Sequence, residues 1–175
     1  MNMQAILAKA KALKLLVLDV DGVLTDGSLI LGEKGDEYKI FNAHDGLGLV
    51  MLRNAGMGVA VISARSSPIV EERMSALGID YIYQGQSDKQ TRLQTLMDEL
   101  QLNGNEVAFV GDDLVDLRAM SLVGLAITVP AAPELVKQRA DWVTSKGGGR
   151  GAVREVCELI LRSQDLLESA FQPYL

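Results

Sequence analysis

The 175-residue chain is 48% hydrophobic and 23% charged, which is typical of one soluble globular domain with a substantial core. A formal net charge of −6 and a pI near 4.8 exclude a protein that binds nucleic acid through a basic surface. The single cysteine, Cys157, cannot form an internal disulfide or a Cys-rich zinc site, and no apolar run has the length of a membrane span or a signal peptide. We therefore expect a cytoplasmic protein whose partner is a small molecule, with no nucleic acid and no membrane.

The first half of the chain is predicted to form a strand, a hairpin and then alternating helices and strands. A weak helix over 2–12 precedes Leu15–Leu18, an apolar run typical of a strand buried on both faces. Two short β-like runs at 28–31 and 37–41 flank a turn of glycine and charged residues, which indicates a hairpin. The next predicted elements are a helix that begins at Asn42, a strand over 59–62, a helix that begins at Ser67 and Pro68, and a strand over 81–83.

The second half continues the same alternation. The predicted elements are helices over about 89–100, 117–123 and 133–139, strands over 107–110, 125–128 and 142–143, and a closing helix from Ala152 onward. Strands and helices that alternate through short links are typical of an α/β fold, in which one doubly wound parallel sheet carries helices on both faces. We therefore expect a single domain over residues 1–175, with the β-hairpin as a small insertion at about 27–41.

Polar side chains follow the predicted strands at the point where each strand ends. Asp19 and Asp21 share a face because they are two residues apart in an extended segment, and Gly22 lets the backbone turn away. The carboxyl ends of parallel strands meet at one edge of a sheet, where ligands bind near the point of strand-order reversal. The groups expected at that edge are Asp19, Asp21, Ser63, Arg65, Asp112, Asp113 and Asp116, with Lys89 at the start of a helix. This combination predicts a functional site rather than a set of helix caps.

Four segments of the chain resemble the motifs of the haloacid dehalogenase superfamily of phosphatases. They are 19–25, Ser63, Lys89 and 111–116. Within that superfamily, 21–27, 42–46, 83–85 and 148–155 are similar to the 3-deoxy-D-manno-octulosonate 8-phosphate phosphatases, a family that acts on a sugar-acid phosphate of lipopolysaccharide core synthesis. The resemblance covers nearly the whole chain. Its visible departure is Ala64, which stands where glycine is usual.

The resemblance implies a phosphatase that works through Asp19 and Mg²⁺. A phosphate monoester dianion repels a carboxylate, so a cation must neutralise it, and Mg²⁺ prefers carboxylate oxygens and water. Asp19 is the expected nucleophile, and Asp21 is the expected acid and base. The expected metal ligands are Asp19, the backbone carbonyl of Asp21, and Asp112.

Further polar groups are expected to support the nucleophile. Ser63 and Lys89 complete the catalytic set, because a hydroxyl and an ammonium stabilise charge on the phosphoryl group. Asp113 and Asp116 are weaker candidates, expected to support the waters on the metal or Lys89.

The predicted substrate contacts rest partly on the resemblance. They are Asp21, Thr25, His44, Asp45, Gly46, Arg65, Arg73 and Lys89. His44, the single histidine, is either a loop residue or a substrate contact, and the resemblance favours the contact. Arg65 and Arg73 meet either the substrate carboxylate or only solvent. The glycine-rich stretch 147–151 is either a tight turn or an anion-facing turn with Arg150, since no strand follows that would complete a dinucleotide site.

Three other functions share parts of this pattern. An acylneuraminate 9-phosphate phosphatase, or the phosphatase-like half of a sialic-acid activating enzyme, shares the motifs and differs in its substrate pocket. A phospho-acceptor signalling domain also uses an aspartate, Mg²⁺ and a lysine, but it does not need an acid two residues after the acceptor, so Asp21 favours turnover. A non-catalytic assembly module is disfavoured by the intact set of catalytic residues.

The chain leaves no room for a separate lid domain, so the site is expected to lie open. The intervals 19–63 and 89–112 hold only a hairpin, single helices and strands. A two-stranded hairpin is marginal in water, and its apolar side chains need a place to be buried. Those side chains are Leu29, Leu31, Ile40 and Phe41. Association through the hairpins would meet both needs, and the resemblance implies a homotetramer.

The end of the chain combines a helical pattern with a proline. Apolar residues recur at helical spacing through the closing helix as far as Leu167. Beyond it, Pro173 lacks a backbone donor and restrains Gln172, so 171–175 are not expected to continue the helix comfortably. Two interpretations remain. The segment is a frayed terminus, or, as the resemblance allows, its aromatic tip reaches a neighbouring subunit's site and helps to close it.

Overall fold

A six-stranded parallel sheet forms the centre of the fold in the computed structural model, which describes residues 2–33 and 35–175. In chain order the strands are β1 (Leu15–Leu18), β2 (Ile30–Leu31), β3 (Glu37–Tyr38), β4 (Gly58–Ile62), β5 (Tyr81–Tyr83), β6 (Val107–Val110), β7 (Leu125–Thr128) and β8 (Trp142–Val143). The helices are α1 (Met3–Ala10), α2 (Ala43–Asn54), α3 (Pro68–Ala76), α4 (Lys89–Leu100), α5 (Leu117–Met120), α6 (Glu134–Arg139), α7 (Ala152–Ser163) and α8 (Leu167–Phe171). The predicted α/β fold is confirmed.

The strand order of the main sheet is β5-β4-β1-β6-β7-β8. The chain leaves the central strand β1 toward β4 and β5, and then returns to the other side of β1 to add β6, β7 and β8. Leu18, the last residue of β1, pairs with Val61 on one side and Val110 on the other. Because the three central strands end at the same level and the strand order reverses there, the residues that follow them share one crevice.

Alternating side chains of β1 enter two separate cores. Leu16 and Leu18 pack into the cluster beneath α1, α2, α3, α7 and α8. Leu15 and Val17 pack into the cluster beneath α4, α5 and α6. All four side chains are fully buried, and each fully buried leucine contributes roughly 1.5–3 kcal/mol relative to exposure. Both faces of β1 are therefore fixed, which holds the residues after it in a rigid position.

The predicted hairpin is present between β1 and α2, with strands shorter than expected. Ile30 pairs with Tyr38, and Leu31 pairs with Glu37, in antiparallel register. Its turn includes Lys34, which lies outside the described residues. After the turn, the side chain of Lys39 is nearly completely buried and that of Glu37 is half-buried, whereas Tyr38 and Ile40 are exposed. Since residues two apart share a face, the hairpin presents its charged face to the protein and its apolar face to solvent.

Two helices end earlier than the sequence pattern predicts. The structure ends α5 at Met120 rather than at Val123. The closing helix is divided: α7 ends at Ser163, Asp165 adopts a left-handed conformation with φ of 60°, and α8 begins at Leu167. A left-handed residue cannot continue a right-handed helix, so the expectation of one helix to Leu167 was wrong.

The last residues of the chain are helical and lie against α2. A 3-10 turn covers Gln172–Tyr174, and Pro173 occupies its first turn, where no backbone donor is required. The α-helix therefore ends at Phe171, in agreement with the expectation for 171–175, and the chain continues as a 3-10 turn. Phe171 is half-buried against the core, whereas Leu175 is exposed. The segment is held by packing within the chain, and its contact with a neighbouring subunit's site stays a prediction.

No helix in residues 2–33 and 35–175 is both long and apolar enough to cross a membrane.

Candidate active site

The ends of β1, β4 and β6 and the start of α4 surround a cavity of about 290 Å³ at the carboxyl edge of the sheet. Its lining residues are Asp19, Asp21, Gly27, Leu29, Ser63, Ala64, Arg65, Lys89, Asp112, Asp113 and Val115. Every predicted catalytic and metal-ligating residue is among them. The hairpin contributes Leu29, so the insertion forms part of the cavity wall.

A buried lysine joins two carboxylates at the floor of the cavity. Lys89 Nζ lies 2.8 Å from Asp19 Oδ1 and 2.7 Å from Asp116 Oδ1. Burial alone lowers the pKa of Lys89, but Asp19 and Asp116 outweigh it and raise that pKa above its ordinary value. Lys89 therefore stays charged. Removing one member of such a buried ion pair costs about 3–5 kcal/mol, because it leaves an uncompensated buried charge.

Asp116 positions the loop that carries Asp112. Its Oδ2 accepts hydrogen bonds from the backbone nitrogens of Asp112 at 3.0 Å and Asp113 at 3.1 Å, while its Oδ1 is held by Lys89. The side chain is fully buried. Of the alternatives predicted for Asp116, the geometry favours support of Lys89, because both carboxylate oxygens are already engaged.

Asp112 lies against the turn that follows β1. Gly22 has a φ of +94°, and a Cβ there would lie 1.9 Å from Asp112 Oδ2. Only glycine therefore permits both this backbone conformation and the close approach of the carboxylate. The turn 21–22 and Asp112 consequently face the same small volume.

The donor set of this volume fits a divalent cation that prefers oxygen. Carboxylate oxygens of Asp19, Asp112 and Asp116 lie within 4.8 Å of one another. Since Asp116 is occupied by its own hydrogen bonds, Asp19 and Asp112 are the carboxylates free to hold an ion. The single histidine, His44, is exposed on α2, and Cys157 is buried in the core. Oxygen ligands with few protein groups suit Mg²⁺.

The carboxylates repel one another when no cation joins them. Burial, with the nearby Asp116 charge, raises the pKa of Asp19 to about 6, although Lys89 opposes the change. Burial and the charges of Asp19, Asp116 and Asp113 raise the pKa of Asp112 to about 7. Each shift reports an unfavourable negative charge in the metal-free site. A bound cation would remove that penalty.

Ser63 and the loop after β4 form the opposite wall. Ser63 is buried, its backbone nitrogen donates to the carbonyl of Tyr83 at 2.9 Å, and its Oγ accepts a hydrogen bond from the backbone of Arg65 at 3.3 Å. The hydroxyl proton is thus available to an anion in the cavity. Ala64 also lines the cavity and is exposed, so the departure from glycine adds a methyl group at the rim.

Lys39 is a site residue that the sequence reasoning missed. It follows β3 directly, its side chain is only 2% exposed, and its Nζ pairs with Asp21 Oδ1 and lies 3.4 Å from Glu37 Oε1. Arg65 approaches the other oxygen of Asp21 at 3.5 Å and contacts Glu37 at 2.9 Å. The available signal was the alternation of charged and apolar residues over 37–40, which indicates a strand with one charged face.

Several predicted substrate contacts stabilise the backbone around the site. Thr25 Oγ1 accepts hydrogen bonds from the backbone nitrogens of Gly22 at 3.3 Å and Gly27 at 3.2 Å. Asp45 accepts from the backbone nitrogens of Gly151 at 3.2 Å and Arg154 at 2.7 Å, so it caps the start of α7. Burial raises the pKa of Asp45 despite these bonds. Thr25 therefore holds the turn after β1, and Asp45 joins α2 to the start of α7.

The remaining predicted contacts lie away from the cavity. Arg73 packs over Gly46, where a Cβ would lie 2.5 Å from the guanidinium Nη2. His44 is exposed at the start of α2. With Thr25 and Asp45, these residues do not line the cavity formed by the described residues, and their contact with substrate stays a prediction.

The glycine-rich loop packs directly on the turn after β1. Gly149 donates from its nitrogen to the carbonyl of Val23 at 3.0 Å, and a Cβ on Gly148 would lie 1.7 Å from the carbonyl oxygen of Gly22. Arg150 pairs with Asp26 at 3.0 Å. Of the two interpretations of this stretch, the geometry favours the tight turn.

An acidic pair at the end of a central strand, with a serine, a lysine and a second acidic loop around it, defines a hydrolase of the haloacid dehalogenase type. The family model for haloacid dehalogenase-like hydrolases matches residues 72–155. The 3-deoxy-D-manno-octulosonate 8-phosphate phosphatase KdsC of Escherichia coli K12 is 46% identical over 94% of this chain and 88% of its own length. The Salmonella typhi enzyme of the same name shows the same identity and coverage.

Solved structures agree with this relationship. One of them is the 3-deoxy-D-manno-octulosonate 8-phosphate phosphatase of Moraxella catarrhalis in complex with magnesium ion, phosphate ion and KDO. It is 44% identical with a TM-score of 0.97, and the match covers 99% of this chain and 100% of that chain. The cobalt-bound Haemophilus influenzae phosphatase is 39% identical with a TM-score of 0.89, over 94% of this chain and 99% of its own. The chain belongs to the 3-deoxy-D-manno-octulosonate 8-phosphate phosphatase family of haloacid dehalogenase-like hydrolases. It is a phosphatase.

We predict that the metal-free protein loses stability as pH rises from about 5 to about 7. The pKa values of Asp19 and Asp112, about 6 and about 7, both exceed the ordinary 3.8, so the folded state binds more protons than the unfolded state in this window. Mg²⁺ should raise the thermal midpoint more at the upper pH than at the lower, because it offsets the repulsion of ionised carboxylates. Thermal melting with chelator and with Mg²⁺ checks this.

Asp112→Asn is the control for that prediction. It removes one of the two titrating groups and should flatten the pH dependence of the metal-free midpoint. An equal Mg²⁺ effect at both pH values in the unmodified protein would contradict the assignment of the cation to this cluster.

Proposed function

We propose that this phosphatase hydrolyses 3-deoxy-D-manno-octulosonate 8-phosphate in the presence of Mg²⁺, releasing the sugar acid and inorganic phosphate, in lipopolysaccharide core sugar biosynthesis. The observation that carries the proposal is the position of Asp19, which is held at the end of β1 by Lys89 and faces a cavity that also contains Asp21 and Ser63. Full-length relatives at 46% identity carry that enzyme's name, and the Moraxella catarrhalis structure contains magnesium, phosphate and KDO.

In the first step, the carboxylate of Asp19 attacks phosphorus in line with the bond to the sugar oxygen. The new bond joins Asp19 to phosphorus, the bond between phosphorus and the sugar oxygen breaks, and Asp21 gives its proton to that oxygen. Ser63 and Lys89 hold the phosphoryl oxygens and the charge that develops on them. Because Lys89 already holds one oxygen of Asp19, the nucleophile does not need to reorient.

In the second step, Asp21 acts as a base. It takes a proton from a water molecule, whose oxygen attacks phosphorus of the aspartyl-phosphate, and the bond to Asp19 breaks to release inorganic phosphate. The residues that would hold Mg²⁺ are Asp19, Asp112 and the backbone carbonyl of Asp21. When bound, the ion neutralises charge on the phosphoryl group and on the carboxylates.

Phosphate release from a panel of phosphate esters tests this function. The protein with Mg²⁺ should release phosphate from 3-deoxy-D-manno-octulosonate 8-phosphate in preference to an acylneuraminate 9-phosphate, and chelator should abolish the activity. Asp19→Asn keeps the size of the side chain but removes the attacking carboxylate, so turnover should fall to near background. Circular dichroism should show that the variant is still folded, with a lower thermal midpoint because Lys89 loses one of its two carboxylate partners.

Near-normal turnover by Asp19→Asn would contradict the assignment of Asp19 as the nucleophile. A preference for the acylneuraminate ester would keep the chemistry and move the substrate to the related phosphatase class. Stable phosphorylation without release of phosphate would instead indicate a phospho-acceptor domain.

We further propose that the protein works as a homotetramer of single-domain subunits assembled through the hairpins. The hairpin exposes a group of large apolar side chains, and soluble proteins rarely leave such patches uncovered. Those side chains are Leu29, Ile30, Leu31, Tyr38 and Ile40. A second copy of the chain is the fitting partner, because association would bury the hairpin and narrow the open cavity whose wall includes Leu29. We also propose the cytoplasm as its compartment, in agreement with a single buried thiol.

Light scattering of the unmodified protein and of Leu31→Glu tests the assembly. The unmodified protein should have the mass of a tetramer at micromolar concentration. Leu31→Glu should dissociate it, because a charge would have to be buried in the contact. Exposed Met3→Glu on α1, outside the hairpin, is the matched control and should leave the mass unchanged. A fully active monomer would refute the proposal.

A further inference from the structure

Asp21, the acid and base of the proposed reaction, is held by Lys39, which lies outside the four motifs of the haloacid dehalogenase superfamily. Lys39 is contributed by the hairpin, and its side chain is nearly completely buried. It does not line the cavity in the described part of the chain, whereas Asp21 does. Lys39 therefore contacts Asp21 without forming part of the cavity wall.

The two oxygens of Asp21 have different partners. Lys39 pairs with Oδ1, and Arg65 lies 3.5 Å from Oδ2. The side chain of Lys39 is 2% exposed, but that of Arg65 is 46% exposed. A buried ammonium fixed by its surroundings holds Oδ1, while an exposed guanidinium is free to leave Oδ2.

We infer that Lys39 is a positioning residue for proton transfer: it fixes the Asp21 carboxyl through Oδ1, so that Oδ2 is the oxygen that carries the proton to the leaving sugar oxygen. An oxygen that accepts a hydrogen bond from an ammonium is a poor site for a proton, because the ammonium and the proton would face each other. Because Lys39 engages Oδ1, only Oδ2 of Asp21 remains to donate a proton, and the carboxyl group is held in one orientation.

Glu37 places Lys39 in this role. Glu37 is two residues before Lys39, so the two side chains lie on the same face of the hairpin. Glu37 Oε1 lies 3.4 Å from Lys39 Nζ and 2.9 Å from Arg65 Nη2. The pKa of Glu37 is held below its ordinary value, first by its hydrogen bond with Arg65. Cations and carboxylates therefore alternate around Asp21, and the hairpin is oriented by charge rather than by burial of its apolar side chains.

This inference rests on the proposed function. A comparison of two substrates distinguishes a failure of the inference from a failure of the proposed function. An alkyl leaving group, as in 3-deoxy-D-manno-octulosonate 8-phosphate, requires protonation, whereas the p-nitrophenolate of p-nitrophenyl phosphate leaves without it. In a single turnover, Lys39→Met should lower the rate of sugar release from the sugar phosphate by about 10- to 100-fold, part of the roughly 10²–10⁴-fold that a positioned acid contributes. It should change the single-turnover release of p-nitrophenolate less than about threefold, because the first step with that ester needs no proton from Asp21.

A second variant and a double variant complete the test. Lys39→Gln keeps a donor of similar length without the charge, and it should show the same selective loss to a smaller extent. Adding Lys39→Met to Asp21→Asn should cause no further loss on the sugar phosphate, because both changes remove the same proton transfer. Lys11→Met, an exposed lysine at the end of α1, is the matched control and should leave both activities unchanged.

Each outcome is decisive for Lys39. Equal losses on both esters, or no loss on either, in Lys39→Met and Lys39→Gln would overturn the inference, since a merely structural lysine would not distinguish the leaving groups. Retained p-nitrophenyl phosphate activity shows that the variant is folded. If the unmodified protein itself failed to release phosphate from the sugar ester, the proposed function rather than the inference would have failed.

Discussion

The ion pairs of Lys89 with Asp19 and Asp116 are the interaction on which the rest of the site depends. Three charged groups lie at the floor of the cavity, where each alone would be costly to bury. Lys89 fixes Asp19, and Asp116 fixes the loop of Asp112 through two backbone hydrogen bonds. Lys89 therefore positions both carboxylates that are free to hold a metal: Asp19 directly, and Asp112 through Asp116. Their raised pKa values indicate that one lysine does not balance their charges, and a bound divalent cation would do so.

The backbone around this cluster is shaped to bring it together. Both faces of β1 are buried, so its end is rigid, and Gly22 allows the following turn to meet Asp112. Gly148 and Gly149 then pack on that turn, and Asp45 ties the start of α7 to α2. Residues that resemble binding motifs in the sequence thus act here as supports of the backbone. The hairpin is held by charge on its inner face and leaves exposed apolar side chains for assembly.

Most of the fold could be predicted because apolar runs and glycine or proline boundaries specify the strands and helices directly. The bounds of β1, β5, α4 and β6 agree with the sequence pattern residue by residue. The break at Asp165 could not be predicted, since a non-glycine residue with positive φ leaves no pattern of its own. The catalytic edge was predictable because parallel strands end together. The role of Lys39 was not predictable, because its approach to Asp21 depends on how the hairpin folds back over the sheet.

In the proposed reaction, Asp19 is a nucleophile that carries the phosphoryl group before water removes it. The most direct measurement is the stereochemical course of hydrolysis, using a phosphorothioate analogue of the sugar phosphate made chiral at phosphorus by an oxygen isotope and hydrolysed in water of another isotope. Each in-line displacement inverts the configuration at phosphorus, so two successive displacements, through Asp19 and then through water, give overall retention. Retention is the predicted result. Inversion would mean that water attacks the ester directly, and it would contradict the role assigned to Asp19.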